Sequence, residues 1–141
     1  MCGIAGYVGN VETERLRLAC DALMHRGPDD AGIWQSCTSS VGLAHRRLAI
    51  VDLSPLGHQP MLSSDSSVVL VFNGEIYNFS ELREELLAKG VVFHGYSDTE
   101  VVLNLYLEEG RAMLSRLNGI FALAVWDERV HELLIARDAF G

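Results

Sequence analysis

Basic residues and long apolar runs are both scarce in this 141-residue chain, and each shortage excludes a class of partner. Only 11 Lys and Arg stand against 19 Asp and Glu, so the formal net charge is -8. A polyanion would be repelled, which argues against a nucleic-acid or acidic-membrane surface. No apolar run reaches the roughly 18 residues that span a bilayer, and the start carries no signal-like pattern. We therefore expect a soluble cytoplasmic protein that acts on a small molecule or another protein.

Cysteine is also rare, with three residues spaced too widely for a paired-ligand zinc motif and too few for a disulfide framework. We expect free thiols. Cys20 and Cys37 are interpreted as small buried hydrophobic residues. The five histidines show no paired spacing, so neither a metal site nor a Cys-His dyad is predicted.

The order of strands and helices predicts an α+β fold. Hydrophobic content of 49% is ample for one packed domain. Apolar periodicity predicts a helix over 12–25 and a short helical piece near 111–117. Strands are predicted at 3–8, 32–36, 41–46 and 68–73, with the last three in one sheet, followed by a hairpin of 120–127 and 132–138. The irregular alternation excludes a simple doubly wound parallel sheet.

Two further helices, 78–90 and 97–110, are predicted from their end signals. Asn78 with Glu81 and Ser97 with Glu100 match the capping-box pattern, in which side chains bond the first free N–H groups. Gly90 and Gly110 are expected to end these helices.

Cys2 differs from the other cysteines because of its position. Removal of Met1, which a small following residue favours, would place a thiol and a free α-amine on one residue. An α-amine has an ordinary pKa of about 7.7–8.0, so it can act as a base near neutral pH. Cys2 could thus carry both nucleophile and base. Taken alone, a cysteine at position 2 is more often incidental.

Motifs along the whole chain support the catalytic interpretation. They are, in order, MCGIAGYVG at 1–9, HRGPDD at 25–30, HRRLAIVDLSPLGHQPM at 45–61, FNGEIYNFSELREEL at 72–86, YSDTEVVLNLY at 96–106, NGIFALAVWD at 118–127 and LLIARDAFG at 133–141. Together they are similar to the N-terminal, class II glutamine amidotransferase domain of glutamine-hydrolysing asparagine synthetases. Several motifs in order are far more specific than any one of them.

The resemblance implies the four-layer αββα sandwich of N-terminal nucleophile hydrolases. It places one domain over 1–141, incomplete at its carboxyl end, with the synthetase domain absent. The implied activity is release of ammonia from glutamine through a γ-glutamyl thioester on Cys2. Ammonia would serve ATP-dependent amidation in the missing domain.

Asn73 and Gly74 are the candidates for the oxyanion hole. Acyl transfer needs donors aimed at the developing oxyanion. Asn73, expected where a strand ends, offers an amide, and Gly74 can bring its backbone N–H close because it has no Cβ. By resemblance these two residues form the hole. An isolated Asn-Gly pair would more often be a hairpin turn, but a helix rather than a returning strand follows it here.

Recognition of free glutamine needs a fixed cation and a fixed anion. By resemblance Arg47 holds the α-carboxylate, and Asp98 holds the α-ammonium with Glu75 as a secondary contact. The pocket is also expected to use the side chains and backbone of Leu48, Ala49, Ile50 and Val51. A bare helix-terminal Asp98 would otherwise indicate only an interaction with the helix dipole. Arg46 is expected to be structural, and His25 and Arg26 to shape a loop over the pocket.

The expected partners are glutamine and a synthetase domain in cis or in trans, and a homodimer is compatible with the resemblance. No cofactor or metal is expected in this segment, because ATP and Mg would bind only in the missing domain. Three alternatives stay open. The chain could be a catalytically silent glutamine-sensing or docking module, a non-functional fragment, or an amidotransferase for a sugar or antibiotic precursor.

Overall fold

The fold is described from a computed structural model, which covers residues 2–10, 12–38, 40–49 and 55–140. Two 3₁₀ helices, Pro55–Gly57 and Gly110–Ser115, accompany the main elements. These are, in chain order, β1 (Gly3–Val8), α1 (Thr13–Ala22), β2 (Asp30–Gln35), β3 (Val41–Arg47), β4 (Met61–Leu62), β5 (Val68–Ile76), α2 (Phe79–Ala88), α3 (Asp98–Glu109), β6 (Gly119–Asp127) and β7 (Glu132–Arg137).

The strands form two antiparallel sheets instead of the single sheet expected for the early strands. The first has the order β1-β3-β2 and the second the order β4-β5-β6-β7. The segment predicted at 68–73 is therefore in a different sheet from the segments predicted at 32–36 and 41–46. The apolar residues of these segments indicate strands, but a local pattern does not specify which strands pair with one another. The predicted hairpin is confirmed as β6 and β7.

The layers follow from the alternation of side chains along each strand. Leu16 and Cys20 of α1 pack on Ala44 at the outer face of the first sheet. A second cluster, between the sheets, contains Val41, Leu43, Val69, Val71, Ala124 and Trp126. A third joins α2 and α3 to the outer face of the second sheet through residues that include Leu70, Phe72, Leu86 and Val102. The order helix, sheet, sheet, helix confirms the expected four-layer αββα arrangement.

The two predicted helix caps differ in outcome. Ser97 accepts a bond from the N–H of Glu100, as a cap does. The Asn78 side chain makes no cap bond to α2. It instead donates to the carbonyl of Arg116 at 2.9 Å and accepts from the N–H of Asn118 at 3.0 Å, which attaches the start of α2 to the chain before β6.

The cysteines are free thiols, as expected, but their burial is only partly as predicted. Cys20 is buried against β3, whereas Cys37 is exposed because it lies in the turn between β2 and β3. The expectation of a buried Cys37 was wrong. Among the helices that the structure describes, none has the length and apolar character to cross a bilayer.

Candidate active site

Strand parity brings three of the candidate residues to the gap between the sheets. Ile4 packs in the cluster between the sheets, and Cys2 lies two positions earlier, on the same face of the chain. Arg47 follows Val41 and Leu43 on the inward face of β3, and Asn73 follows Val69 and Val71 on the inward face of β5. One sheet therefore presents the thiol and the guanidinium, while the other presents the amide.

These residues line a cavity of about 250 Å³. Seven predicted site residues line it, namely Cys2, Arg47, Leu48, Asn73, Gly74, Glu75 and Asp98. Ala49 is not part of the lining, and its N–H donates to the carboxylate of Asp29 at 2.9 Å. Ile50 and Val51 lie outside the described residues.

The Cys2 sulfur is held against the backbone of Leu48. The N–H of Leu48 donates to Sγ at 3.3 Å, and the thiol donates to the carbonyl oxygen of Leu48 at 3.7 Å. Nε of Arg26 donates to the carbonyl oxygen of Cys2 at 3.0 Å. Contacts from both sides therefore fix the start of β1 where the thiol faces the cavity.

The segment HRGPDD anchors the site and does not cover it. None of its residues lines the cavity, in contrast to the expected loop over the pocket. Arg26 and Asp29 instead bond the backbone of Cys2 and Ala49. A Cβ on Gly27 would lie 2.4 Å from the backbone of Arg46, so this close approach requires glycine. Arg46 itself faces α1 and pairs with Asp21, which agrees with a structural charge.

Asn73 and Gly74 lie inside β5 and not at its end, because the strand continues to Ile76. Their partners across the ladder are Ala122 and Phe121 of β6. The hairpin alternative for this Asn-Gly pair is therefore wrong. A Cβ on Gly74 would lie 2.2 Å from the carbonyl oxygen of Ile120, so only glycine fits this pairing.

The backbone N–H of Gly74 points away from β6, toward the edge of β5 that borders the cavity. Its ladder partner Phe121 directs both backbone groups away from β5. The N–H of Phe121 donates to Oδ2 of Asp138 at 3.0 Å, and its carbonyl oxygen accepts from the N–H of Asp138 at 2.9 Å. N–H groups of residues two apart on a strand point to the same edge. At that edge the N–H of Phe72 donates to Gln59, and the N–H of Ile76 donates to Asp98. Gly74 therefore directs its N–H between these two anchored positions.

Asp98 is the first residue of α3 and is only 7% exposed. Its Oδ2 accepts the N–H of Ile76 at 3.1 Å, which joins the helix start to the end of β5. Burial raises the pKa of the Asp98 carboxyl above its ordinary value, and the charge of nearby Glu75 adds to the rise, against the lowering effect of backbone hydrogen bonds. A cation bound beside these two carboxylates would favour their ionised forms.

Arg47 is positioned by the segment before β4. Its guanidinium lies so close to Gly57 that a Cβ there would be 2.0 Å from Nη2. Arg47 is 9% exposed, so its charge is directed into the cavity and not into solvent. The absence of a side chain at Gly57 thus creates the space for the guanidinium.

We expect Asp98→Asn to stabilise the empty protein at neutral pH and, if Asp98 holds an ammonium group as the resemblance implies, to weaken substrate binding. A raised carboxyl pKa means that the folded state holds the proton more tightly than the unfolded state. This contribution to stability is fully present below the unfolded pKa of about 3.9 and is lost as pH rises through the folded pKa. Asn removes the buried charge and keeps an oxygen for the N–H of Ile76. The urea midpoint should rise at pH 7, with the difference vanishing below pH 4.

The control for that measurement is Asp65→Asn, for which the urea midpoint at pH 7 should change in the opposite direction. Hydrogen bonds from Ser63 and Ser67 lower the pKa of Asp65 to about 2, so its loss should destabilise the fold at pH 7. In kinetics, loss of a charged hydrogen bond should raise the KM of Asp98→Asn about tenfold to a hundredfold. An unchanged KM would remove Asp98 from substrate recognition.

Several residues that line the cavity were not predicted from the sequence. They are Gly57, Gln59, Phe72, Tyr77, Ser97, Thr99 and Ile120. The motif at 45–61 contained Gly57 and Gln59, but their role depends on contacts with β3 and β5 that local pattern does not encode. Ser97 was identified only as a helix cap. Across the described ranges, no group of His, Cys, Asp and Glu has a geometry that could hold a metal.

Comparison with known proteins agrees with this geometry. A solved structure of glutamine phosphoribosylpyrophosphate amidotransferase from B. subtilis, complexed with ADP and GMP, superimposes with a TM-score of 0.78. It is 21% identical, and the match covers 98% of this chain and 37% of that chain. At this identity the likeness shows the fold alone, and it agrees with the four-layer αββα arrangement described above.

The sequence comparisons show the family. A model described as a glutamine amidotransferase domain matches residues 1–141. Asparagine synthetase [glutamine-hydrolyzing] 3 of Bacillus subtilis is 42% identical over 148 residues, covering 100% of this chain and 24% of that protein. Amidase chry2 of Gibberella zeae is 38% identical over 155 residues, covering 100% of this chain and 23% of that protein. The chain belongs to the glutamine amidotransferase domain family.

The chain spans about a quarter of the length of these curated relatives. None of these findings favours a silent sensing module or a sugar- or antibiotic-directed enzyme over the amidotransferase of an asparagine synthetase.

Proposed function

We propose that this domain hydrolyses glutamine for an asparagine-synthetase-type enzyme. The observation that carries the proposal is a single cavity in which Cys2, Arg47, Asn73, Gly74 and Asp98 meet, although they come from three different layers. Such a cavity is small enough to suit one amino acid. The first sheet supplies the thiol and the cation, the second sheet supplies the oxyanion donors, and α3 supplies the anion.

The charges of the cavity complement a free amino acid. Arg47 binds the α-carboxylate of glutamine, and Asp98 binds the α-ammonium with help from Glu75. The raised pKa of the Asp98 carboxyl in the empty site falls when the ammonium binds, because an opposite charge favours the ionised form. The bound substrate thus brings an opposite charge next to each of these buried groups.

The reaction begins when the thiol of Cys2 attacks the side-chain amide carbon of glutamine. The carbonyl oxygen becomes an oxyanion that accepts hydrogen bonds from the side-chain amide of Asn73 and the N–H of Gly74. Collapse of the intermediate breaks the C–N bond, and the leaving nitrogen departs as ammonia after taking up a proton. Water then attacks the γ-glutamyl thioester, which releases glutamate and regenerates the thiol.

The base is the α-amine of Cys2 once Met1 has been removed. It takes the thiol proton, gives it to the leaving nitrogen, and later assists the attacking water. Met1 lies outside the described residues. The bond from Arg26 to the Cys2 carbonyl holds the new terminus in place.

The ammonia is delivered to a synthetase domain in cis or in trans. The names and lengths of the relatives support this step, because this chain covers only 24% of the B. subtilis asparagine synthetase. ATP and Mg would bind in that domain and activate an acceptor carboxylate, which for asparagine synthesis is that of aspartate. A cytoplasmic location and a homodimer stay predictions.

Asn73→Ala tests the assignment of the oxyanion hole. Loss of one oxyanion donor lowers turnover about a hundredfold to a thousandfold, because the bond forms in the transition state and not with the bound substrate. We expect a low kcat for glutamate release with little change in KM. Asn104→Ala is the control, since Asn104 lies in α3 outside the cavity and bonds the carbonyl of Glu100. A change in KM alone would reassign Asn73 to substrate positioning.

A further inference from the structure

The backbone of Phe72, next to the oxyanion hole, is bonded by two side chains from elsewhere in the fold. Its N–H donates to Oε1 of Gln59 at 2.6 Å. Its carbonyl oxygen accepts from Nε2 of His45 at 3.0 Å. Both side chains are buried, with His45 1% and Gln59 4% exposed. We refer to these three residues as the Phe72 clamp.

The clamp exists because β4 is too short to cover the edge of β5. Its two residues, Met61 and Leu62, pair only with Leu70 and Val69. Beyond them, the backbone groups of Phe72 would be buried without partners, which proteins avoid. Gln59, two residues before β4, supplies the acceptor, and its amide also donates to Oγ1 of Thr99 at 3.4 Å. Side chains therefore replace the missing part of a strand.

His45 links the two sheets at this point. It lies on β3 of the first sheet, two residues before Arg47 and on the same inward face, while Phe72 belongs to the second sheet. A carbonyl can only accept, so Nε2 carries a proton. Burial lowers the pKa of His45 to about 4, so near neutral pH the ring is the neutral tautomer with a lone pair on Nδ1.

A buried histidine at position 45 is unfavourable for stability, which suggests that its bond to Phe72 serves the site. Its Nδ1 is buried and finds no hydrogen-bond partner among the described residues. An apolar side chain would avoid this unsatisfied atom, and the neighbouring inward residues of β3, Val41 and Leu43, are apolar. The bond to the Phe72 carbonyl is the contact that a histidine adds.

We propose that His45 and Gln59 are positioning residues for glutamine hydrolysis, which hold the Phe72 backbone so that Asn73 and Gly74 face the Cys2 thiol. The inference rests on the proposed function of the domain. Phe72 is bonded on one side of Gly74, and Ile76 is bonded to Asp98 on the other. The N–H of Gly74 thus lies between two fixed points of one strand edge. The bond from His45 to Phe72 fixes the position of the oxyanion donors relative to the first sheet, which carries Cys2.

Two substitutions of similar size separate the hydrogen bond from packing. His45→Gln keeps a donor near the position of Nε2, whereas His45→Met fills the space without one. A misplacement of about 1 Å can lower an enzymatic rate about a hundredfold. We expect His45→Met to lower kcat for glutamate release about tenfold to a hundredfold with little change in KM, and His45→Gln to recover most of the loss. Equal kcat values for parent and His45→Met would overturn the inference.

A double-mutant cycle distinguishes positioning from a general loss of stability. If His45 acts through the oxyanion donors, the loss of kcat in His45→Met combined with Asn73→Ala should be clearly smaller than the product of the two single losses, because only the Gly74 N–H is left to be displaced. When His45→Met is combined with Asp98→Asn, the two losses in kcat/KM should multiply, because Asp98 binds the head group and not the oxyanion. Alkylation of Cys2 by iodoacetamide, which forms no oxyanion, should keep the parent rate in His45→Met. Losses that multiply with Asn73→Ala would show that His45 is only structural.

Gln59→Met provides a second route if His45→Met does not fold. It removes the acceptor for the Phe72 N–H and should give the same fall in kcat and the same absence of multiplication with Asn73→Ala. Parent kcat in Gln59→Met would overturn its part in the clamp. Failure of the proposed function can be distinguished from failure of the clamp, because in the former case Cys2→Ala would also keep the parent activity.

Discussion

Cys2→Ala is expected to abolish glutamate release from glutamine, lowering the rate by more than about a thousandfold, while the unfolding midpoint stays near that of the parent. Removal of a nucleophile eliminates the covalent route, and the remaining groups only bind substrate. The fold should persist because the Cys2 side chain is half-buried and contacts mainly the backbone of Leu48. The measurement is glutamate release, together with urea unfolding of both proteins.

The other two cysteines supply matched controls. Cys37→Ala should change neither rate nor stability because Cys37 is exposed, and Cys20→Ala should lower stability but keep activity because Cys20 is buried under β3. An electrophilic glutamine analogue should label Cys2 alone, even though Cys37 is more accessible, since the cavity selects the amino-acid head group. Parent activity in Cys2→Ala would refute the proposed mechanism.

The second large effect concerns the free amine. A residue left in front of Cys2 converts the α-amine to an amide, which takes up no proton near neutral pH. Loss of a general base typically lowers the rate about a hundredfold to ten-thousandfold. We expect a protein with an uncleavable N-terminal extension to hydrolyse glutamine slower by this factor than the same protein beginning at Cys2. Glutamine binding should be largely kept.

A cleavable extension gives the matched comparison, because one preparation can be assayed before and after its removal. Intact mass confirms which form is present, and an extension at the carboxyl end controls for added bulk. Equal rates before and after cleavage would exclude the amine as base. His45 could not replace it easily, since its Nε2 proton is directed to the Phe72 carbonyl and its ring is buried.

Much of the fold could be predicted because its signals are local. Ser97, Gly90 and Gly110 mark helix ends through caps and positive φ, and the structure has them in those roles. Arg47 and Asp98 were found because their charges match a zwitterionic substrate and their motifs resemble a family. The cavity brings both together with Cys2, and their roles in binding glutamine stay predictions.

The remaining features depend on contacts between distant parts of the chain. The pattern of 68–73 indicates a strand but not its sheet, so its assignment to one sheet with 32–36 and 41–46 was wrong. Asn78 carries the letters of a capping box, yet its amide bonds the chain before β6. Gln59 was missed because a side chain that replaces a strand partner has no periodic signature.

The alternation of Arg46 and Arg47 on β3 constrains how this sequence can change in length. Arg46 faces α1 and pairs with Asp21, while Arg47 faces the cavity. Insertion or deletion of one residue within β3 would exchange these two environments, because neighbouring side chains point to opposite faces. It would also turn His45 away from Phe72. Changes by an even number of residues preserve this order of faces, so strand parity rather than strand length is what the site requires.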